Sequence, residues 1–440
     1  MKKIPKPMAT EPTTPLPSAG TPSAGTHAVG ISHQRRRPVL DIPAEIIRQI
    51  WRDGPVSRVD LARGLKVSPA TTGDYTDRLI QAGVLKISED GDSVYKGRGR
   101  KPLVFDLNPD CGTIIALDLE GPRLKVARLD FVLTIEEEAV FEVLPHISRD
   151  ALHALVIKAV KSVFPEDGRA LLGIGLSCPG EIDYGAGTFI AEPIFAHLGE
   201  TDLCTVLRER FQVPVHLEND MCALTLGEEM VGLGRGADYF MCLSARADWV
   251  GAAVFLNGEL AAGAQRGLRI GEWYLPVPGD RVPPDFREEK DGDAIRCRLE
   301  RLATRGGLLA IANHNRARSK QAELATFEDL LTAINRRERQ SLRAVEILAE
   351  TLGRVLARID DVLHFDRIVL NGLFLELGPQ FIEELRHGFR RFQMVRDEDD
   401  AMGRIVPSSL LERAGLIGAG GLALKNWTPT TKQATEARDE

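Results

Sequence analysis

The chain has 440 residues, 43% apolar and 27% charged, the balance of a globular protein with room for two or three separate cores. No apolar run reaches the ~18–20 residues of a membrane span, and the opening stretch MKKIPKPMATEPTTPLPSAGTPSAGTHAVG has no apolar segment of the secretory kind, so neither a membrane partner nor export is expected. The net charge of -7 is uneven: residues 1–105 hold 17 Lys/Arg and 10 Asp/Glu, the remainder 39 and 53, so a basic end that suits a polyanion precedes an acidic body.

Residues 1–40 are rich in Pro, Thr, Ser, Ala and Gly and end in HQRRRP, a composition that cannot bury a core, so a disordered tail is expected. From Asp41 three helices follow. Ile46, Ile47 and Ile50 give the first its apolar stripe. Ser57 stands three residues before Asp60 as an N-cap with an acid behind it, opening a short helix over 58–64. After the turn LKV, Ser68 caps a third helix with Pro69 in its first position, and Gly83 stops it just past Ala82. Two helices joined by such a turn form a helix-turn-helix, whose second helix enters the major groove of DNA. The stretch LKISEDGDSVYKGRGRKPLVFDL then reads as a hairpin, so residues 41–107 make a winged helix-turn-helix domain. Ser68, Thr71, Thr72, Gly73 and Asp74 are the candidate DNA contacts on the third helix, and Arg98, Arg100 and Lys101 on the wing. Glycines there let the backbone approach DNA, and Arg enters narrow minor grooves or clamps phosphates. Asp74 and Asp77 repel phosphates, so the wing and dimerisation are expected to carry much of the affinity.

From Cys111 short β-rich runs alternate with helical stretches, the sign of an α/β body over residues 108–426. Helical patterns dominate from about Asp293 to His364, RIVLNG reads as a strand, and LLERAGLIGAGGLALKNW as a last apolar helix before a polar tail over 427–440. The six cysteines are scattered and form no C-x-x-C pair, which suits free thiols in a reducing cytoplasm rather than disulfides or a metal. ALDLEGPRLKVARLD reads as two strands around a tight turn. An acid enters it and an Arg/Lys pair leaves it, yet Glu120, Pro122 and Arg123 stand where a phosphate clamp wants small residues.

These segments, together with LLGIGLSCPGEID, VPVHLENDMCALTLGEEMVGLGRGAD and GAAVFLNGELAAGAQRGLRIGE, resemble the ROK family (repressors, open reading frames and sugar kinases) in its transcriptional-regulator branch, over about residues 41–425. The resemblance implies a two-lobed α/β fold of the actin and hexokinase type with ligand in the cleft. In kinase members a D-x-G-G-T hairpin and a G-T-G loop hold ATP, an Asp in E-N-D is the base for the sugar hydroxyl, and a G-E-I-G-H segment binds sugar and joins a zinc-holding Cys cluster. This chain keeps Asp118, Gly121, Asn219 and Asp220. It has Glu120 and Arg123 in the first hairpin, SARADWVGA (Ala245, Arg246, Ala247, Asp248) for the second loop, Arg269 and Glu272 for the sugar-binding Glu and His, no Cys cluster, and a reduced turn at Asn371 and Gly372. The expectation is no metal, no cofactor and no phosphoryl transfer, a reaction that rests on positioning and charge neutralisation. Asp220 is then vestigial as a catalytic base.

The resulting expectation is a nucleoid-associated cytoplasmic regulator, a repressor of sugar metabolism that binds a double-stranded DNA operator as a homodimer or homotetramer. Gly180, Asn219, Asp220, Arg269 and Glu272 are its effector-binding candidates. The effector is a sugar, or an acidic sugar derivative if Arg269 is free to hold an anion; Arg269 paired with Glu272 or Asp220 would instead close an unused pocket. Two alternatives stay open: an ATP-dependent sugar kinase with a regulatory head, and a ligand-independent regulator whose body only dimerises. His197 and His216 fall in no ligand spacing and read as structural or surface residues.

Overall fold

The computed structural model of the chain describes residues 41–88, 103–190, 195–246, 249–261, 267–277, 279–291, 294–394 and 401–428. The wing tip with Arg98, Arg100 and Lys101, and the loop residues Ala247, Asp248 and Arg266, lie outside them.

The head forms as its caps dictate. Helix α1 (Ile42–Asp53) starts at Asp41, whose carboxylate accepts from Ala44 N. Helix α2 (Arg58–Leu65) starts at Ser57, which accepts from Asp60 N at 3.2 Å. Helix α3 (Pro69–Gln81) starts at Ser68, which accepts from Thr71 N at 3.0 Å. Each cap satisfies amides that the first helical turn leaves without partners. Strands β1 (Val56–Ser57), β2 (Leu85–Ile87) and β3 (Val104–Leu107) form a sheet in the order β1-β3-β2, and the β2–β3 hairpin is the base of the wing.

The body repeats one sheet topology twice. The first sheet holds β4 (Thr113–Glu120), β5 (Arg123–Asp130), β6 (Ile135–Glu142), β7 (Leu171–Cys178) and β11 (Val215–Asn219) in the order β11-β7-β4-β5-β6. The second holds β12 (Tyr239–Ala245), β13 (Val250–Leu256), β14 (Glu259–Leu260), β18 (Arg367–Gly372) and β19 (Ile405–Pro407) in the order β14-β13-β12-β18-β19. In each, an antiparallel meander of three strands is extended by two parallel ones, and β8 (Glu181–Asp183), β9 (Thr188–Ile190) and β10 (Glu200–Thr201) form a small antiparallel sheet in the order β10-β9-β8.

The alternation of side chains along a strand decides what each sheet faces. On β4, Ile115, Leu117 and Leu119 enter the core under helices α4 (Arg149–Ser162) and α5 (Leu203–Phe211), while Ile114 and Ala116 face the opposite way. On β12, Met241, Leu243 and Ala245 join the large second-lobe core, and Phe240 and Cys242 turn to its other face. Between the sheets run helices α6 (Asp220–Val231), packed on the second sheet, and α11 (Ala414–Lys425), packed on the first. The large second-lobe core is closed from outside by α7 (Arg305–Arg318), α8 (Phe327–Asn335), α9 (Arg339–Leu363) and α10 (Gly378–Phe392).

One element departs from the sequence reading. The helical region expected from about Asp293 begins instead with a strand, β17 (Ala294–Arg298), which pairs with β15 (Tyr274–Val277) and β16 (Glu289–Asp291). Its apolar residues Ile295 and Cys297 are two apart, a strand spacing masked in the sequence by the charged helical stretch that follows. Head and body also meet in a common core. Ile46, Ile50, Leu61 and Phe105 of the head share one apolar core with Ile114, Leu129, Phe131, Leu416 and Leu424 of the body. Phe131 meets Trp51 of α1 edge-on at 6.4 Å and Trp427 at 5.2 Å, the T-shaped arrangement that ring quadrupoles favour.

Candidate functional site

On the recognition helix, burial corrects part of the expected contact set. Thr72 is 0% exposed, its hydroxyl donates to Ser68 O, and Gly73 lies buried against Arg58. Neither presents a group to a groove, because both fall on the face that α3 turns to α2 and the sheet. Ser68 and Asp74 are exposed and Thr71 half-buried. The outward face also carries Ala70, Asp77, Arg78 and Gln81, which the sequence reading left out although they recur at helical spacing with Asp74. Asp77 pairs with Arg58 at 2.5 Å.

Two hairpins in equivalent places in the two sheets meet here. In the first, β4 and β5 meet at Gly121 and Pro122. Gly121 takes φ +57, which its missing Cβ allows and which a two-residue hairpin turn requires at its first position. Glu120 stands at the end of β4. From the second hairpin, Arg246 reaches across and its guanidinium pairs with the Glu120 carboxylate. Lys125, opposite Asp118 on β5, adds its ammonium to Glu120 at 2.6 Å and to Glu412 at 3.5 Å. All of this lies between Asp118, fully buried and bonded by Ser177 Oγ at 2.7 Å, and Asp220, 7% exposed.

The charges set one another. Burial pushes Glu120 upward, but Arg246 and Lys125 outweigh it and hold the carboxyl below its ordinary value. Burial also pushes Asp118 upward, partly opposed by Arg246. Asp220 is pushed up to about 7 by burial, with Arg246 opposing and Asp118 adding to the rise. Burial disfavours the Arg246 cation, yet the three acids more than restore it. The tip of the first hairpin thus carries an internal carboxylate, with Arg246 and Lys125 already bound to it.

The expected effector residues do converge. Asn219 caps α6, accepting from Met221 N at 3.0 Å and Cys222 N at 3.4 Å, and donates to Gly180 O at 3.1 Å. Its side chain is therefore fixed at the start of α6, next to Asp220. Gly180 takes φ +89. Arg269 pairs with Glu272 at 2.5 Å and with Glu181, next to Gly180, at 3.2 Å. Its guanidinium is balanced by two acids, of which the sequence reading named only Glu272. Two further residues join the site: Tyr184 donates its hydroxyl to Glu218, whose carboxylate also accepts from Asn219 N at 2.9 Å. His197 bonds Ile147 O and His216 is half-buried, away from this cluster.

Helices α6 and α11 connect this cluster to the head. Asp220 opens α6, and Gly415 at the start of α11 lies so close to Asp118 that a Cβ there would stand 2.7 Å from Oδ2. At the far ends, Met230 and Val231 of α6 and Leu424 of α11 enter the core shared with the head. The two helices touch backbone to backbone: a Cβ on Gly418 would stand 1.6 Å from Ala223 O, and one on Gly227 2.3 Å from Ala414 O. Each spans ~18 Å at 1.5 Å per residue.

Residues 114–426 match the ROK family and residues 41–86 a winged helix-turn-helix DNA-binding domain. A xylose repressor of Caldicellulosiruptor bescii is 23% identical over 398 residues, 87% of this chain and 94% of that protein. The dual regulator NagC of Escherichia coli is 21% identical over 388 residues, 85% of this chain and 93% of its own. A solved ROK transcriptional regulator described as a homologue of E. coli Mlc superposes with TM-score 0.68 at 18% identity, covering 87% of this chain and 96% of that one. A ROK glucokinase from Streptomyces griseus in complex with glucose and AMPPNP gives 0.55 at 20%, covering 71% and 99%. At such identities the structures establish a shared fold, and the family match extends over most of the chain: the protein belongs to the ROK family.

Proposed function

We propose that this protein is a sequence-specific, DNA-binding transcriptional repressor whose body binds a sugar without phosphorylating it. The observation that carries the reading is the Glu120–Arg246–Lys125 cluster. It puts a carboxylate at the clamp and engages the cations that phosphoryl transfer would need for the nucleotide. The relatives named xylose repressor and NagC, which match over head and body alike, support the regulatory half.

With Arg269 balanced by Glu181 and Glu272, the cleft favours a neutral sugar over an acidic one. Its hydroxyls would donate to the carboxylates of Asp220 and Glu272 near Gly180. Binding there reaches the head through α6 and α11, whose far ends lie in the head's own core. The ligand shifts DNA affinity only to the extent that it binds the two arrangements of this pair unequally. Arg78 and the wing residues Arg98, Arg100 and Lys101 supply cations for the phosphates, and two heads in a homodimer or homotetramer would read half-sites one helical turn or a multiple apart. The site of action is then the cytoplasmic nucleoid.

The test is a gel-shift titration with genomic fragments and a panel of neutral sugars, their acids and their phosphates, run beside an ADP-release assay. Expected are one preferred fragment, release by a neutral sugar and no ADP. No preference over random DNA overturns the repressor reading, and turnover lost in Asp220→Asn overturns the non-kinase half. A preferred fragment unaffected by any sugar favours a body that only dimerises.

A further inference from the structure

Where the head meets the body there is a recess of about 380 Å³, distant from the carboxylate cluster at the other end of α6 and α11. Its walls come from both parts: Trp51 from α1, Phe131 and Trp427 from the body, Glu229 and Met230 from the last turn of α6, and Phe255 from β13. Four rings therefore line one recess, and three of them, Trp51, Phe131 and Trp427, are set edge to face.

The polar groups around it are unevenly satisfied. The cations are paired: Arg48 with Glu45, Arg52 with Asp53, and Lys425 with Glu259. Glu229, half-buried, has neither a hydrogen bond nor an ion pair among the described residues; burial pushes its carboxyl above its usual range, with Lys425, Arg235 and Arg52 opposing the rise. Two buried atoms also lack partners, the indole N–H of Trp51 and the side-chain carbonyl of Gln49, a further residue of the lining. Buried polar groups in folded proteins are nearly always hydrogen-bonded, so a cluster of exceptions calls for an explanation.

We propose that this recess is a second ligand site, for a small organic ammonium with an aromatic or alicyclic body. The ring trio takes the apolar part and the face of an indole attracts the cation. Glu229 accepts from its N–H groups. The proposal does not rest on the repressor reading, since it concerns binding to the full chain without DNA. A ligand spanning walls from head and body also braces the head against α6 and α11.

Calorimetric titration of the full-length protein with phenethylamine, its size-matched anion phenylacetate and the neutral 2-phenylethanol tests it. Phenethylamine is expected to bind at one site at least about tenfold more tightly than the other two, the equivalent of ~1.4 kcal/mol. Glu229→Gln should abolish that preference while leaving the melting temperature of the free protein near wild type. Trp427→Phe, which keeps a ring, should weaken phenethylamine less than Trp427→Leu. No binding of phenethylamine at millimolar concentration, equal binding of amine and alcohol, or a preference that survives Glu229→Gln would each overturn the assignment.

Discussion

Asp220 shows what burial beside a second acid does to a carboxyl. With Arg246 on Glu120, Asp220 keeps its place at the start of α6 but shares a buried region with Asp118, and its carboxyl titrates near 7. The sign follows from linkage. An unfolded Asp releases its proton near pH 4, whereas the folded one holds it to about 7. Between these values the native state binds the extra proton, so stability falls as pH rises through that window. Asp220→Asn removes the group that loses its proton. Denaturant unfolding at pH 5 and pH 8 is expected to show a flatter profile in the variant, with a gain at pH 8 on the order of 2–4 kcal/mol and little difference below pH 4. An unchanged slope would mean that water or Arg246 already compensates the charge. The pair titrates jointly, so the profile reports Asp118 and Asp220 together.

At the scale of elements, the α6–α11 contact depends on absent side chains. Gly418→Ala would place a methyl 1.6 Å from the Ala223 carbonyl, so the helices must part. A loss of about 3 kcal/mol is expected, at the upper end of what overpacking costs. Gly306, in the first turn of α7, has nothing within 4 Å of its would-be Cβ, and Gly306→Ala should stabilise by ~0.5–1 kcal/mol through helix propensity. The midpoints of chemical unfolding, moving in opposite directions, check both; a neutral Gly418→Ala would show that the pair slides freely. Local chemistry made many elements legible in the sequence. Ser68 and Pro69 mark the start of α3, and RQSLRAVEILAETLGRVLARIDDVL coincides with α9. Partnership was not legible. Lys125 meets Glu412, 287 positions away, and nothing beside Arg246 announces Glu120. Spacing revealed the face of α3 only once burial had shown which side is inward, which is why Thr72 and Gly73 stood beside Asp74 as candidates.

Over the whole molecule, the question is whether the head is a domain of its own. A unit of about 67 residues is marginal alone, because little of its surface can be buried. Its core here is completed by the body: Ile46, Ile50 and Phe105 share contacts with Phe131, Leu416 and Leu424. A head built this way follows its seat, so a change at the cleft end of α6 and α11 is felt where those helices end. Phe131 sits at the junction, 1% exposed between Trp51 and Trp427. Truncation of a buried Phe to Ala costs ~3–5 kcal/mol, and at this position the loss falls on the junction. Scanning calorimetry of Phe131→Ala is expected to resolve a low-temperature transition for the head from a second near the wild-type temperature for the body, where the parent gives one. The body's two sheets, whose cores under α4, α5 and α9 do not include Phe131, should keep their circular dichroism through the first transition. A single transition shifted as a whole would mean that head and body remain one cooperative unit without this ring, and that coupling to the cleft is carried by the rest of the shared core.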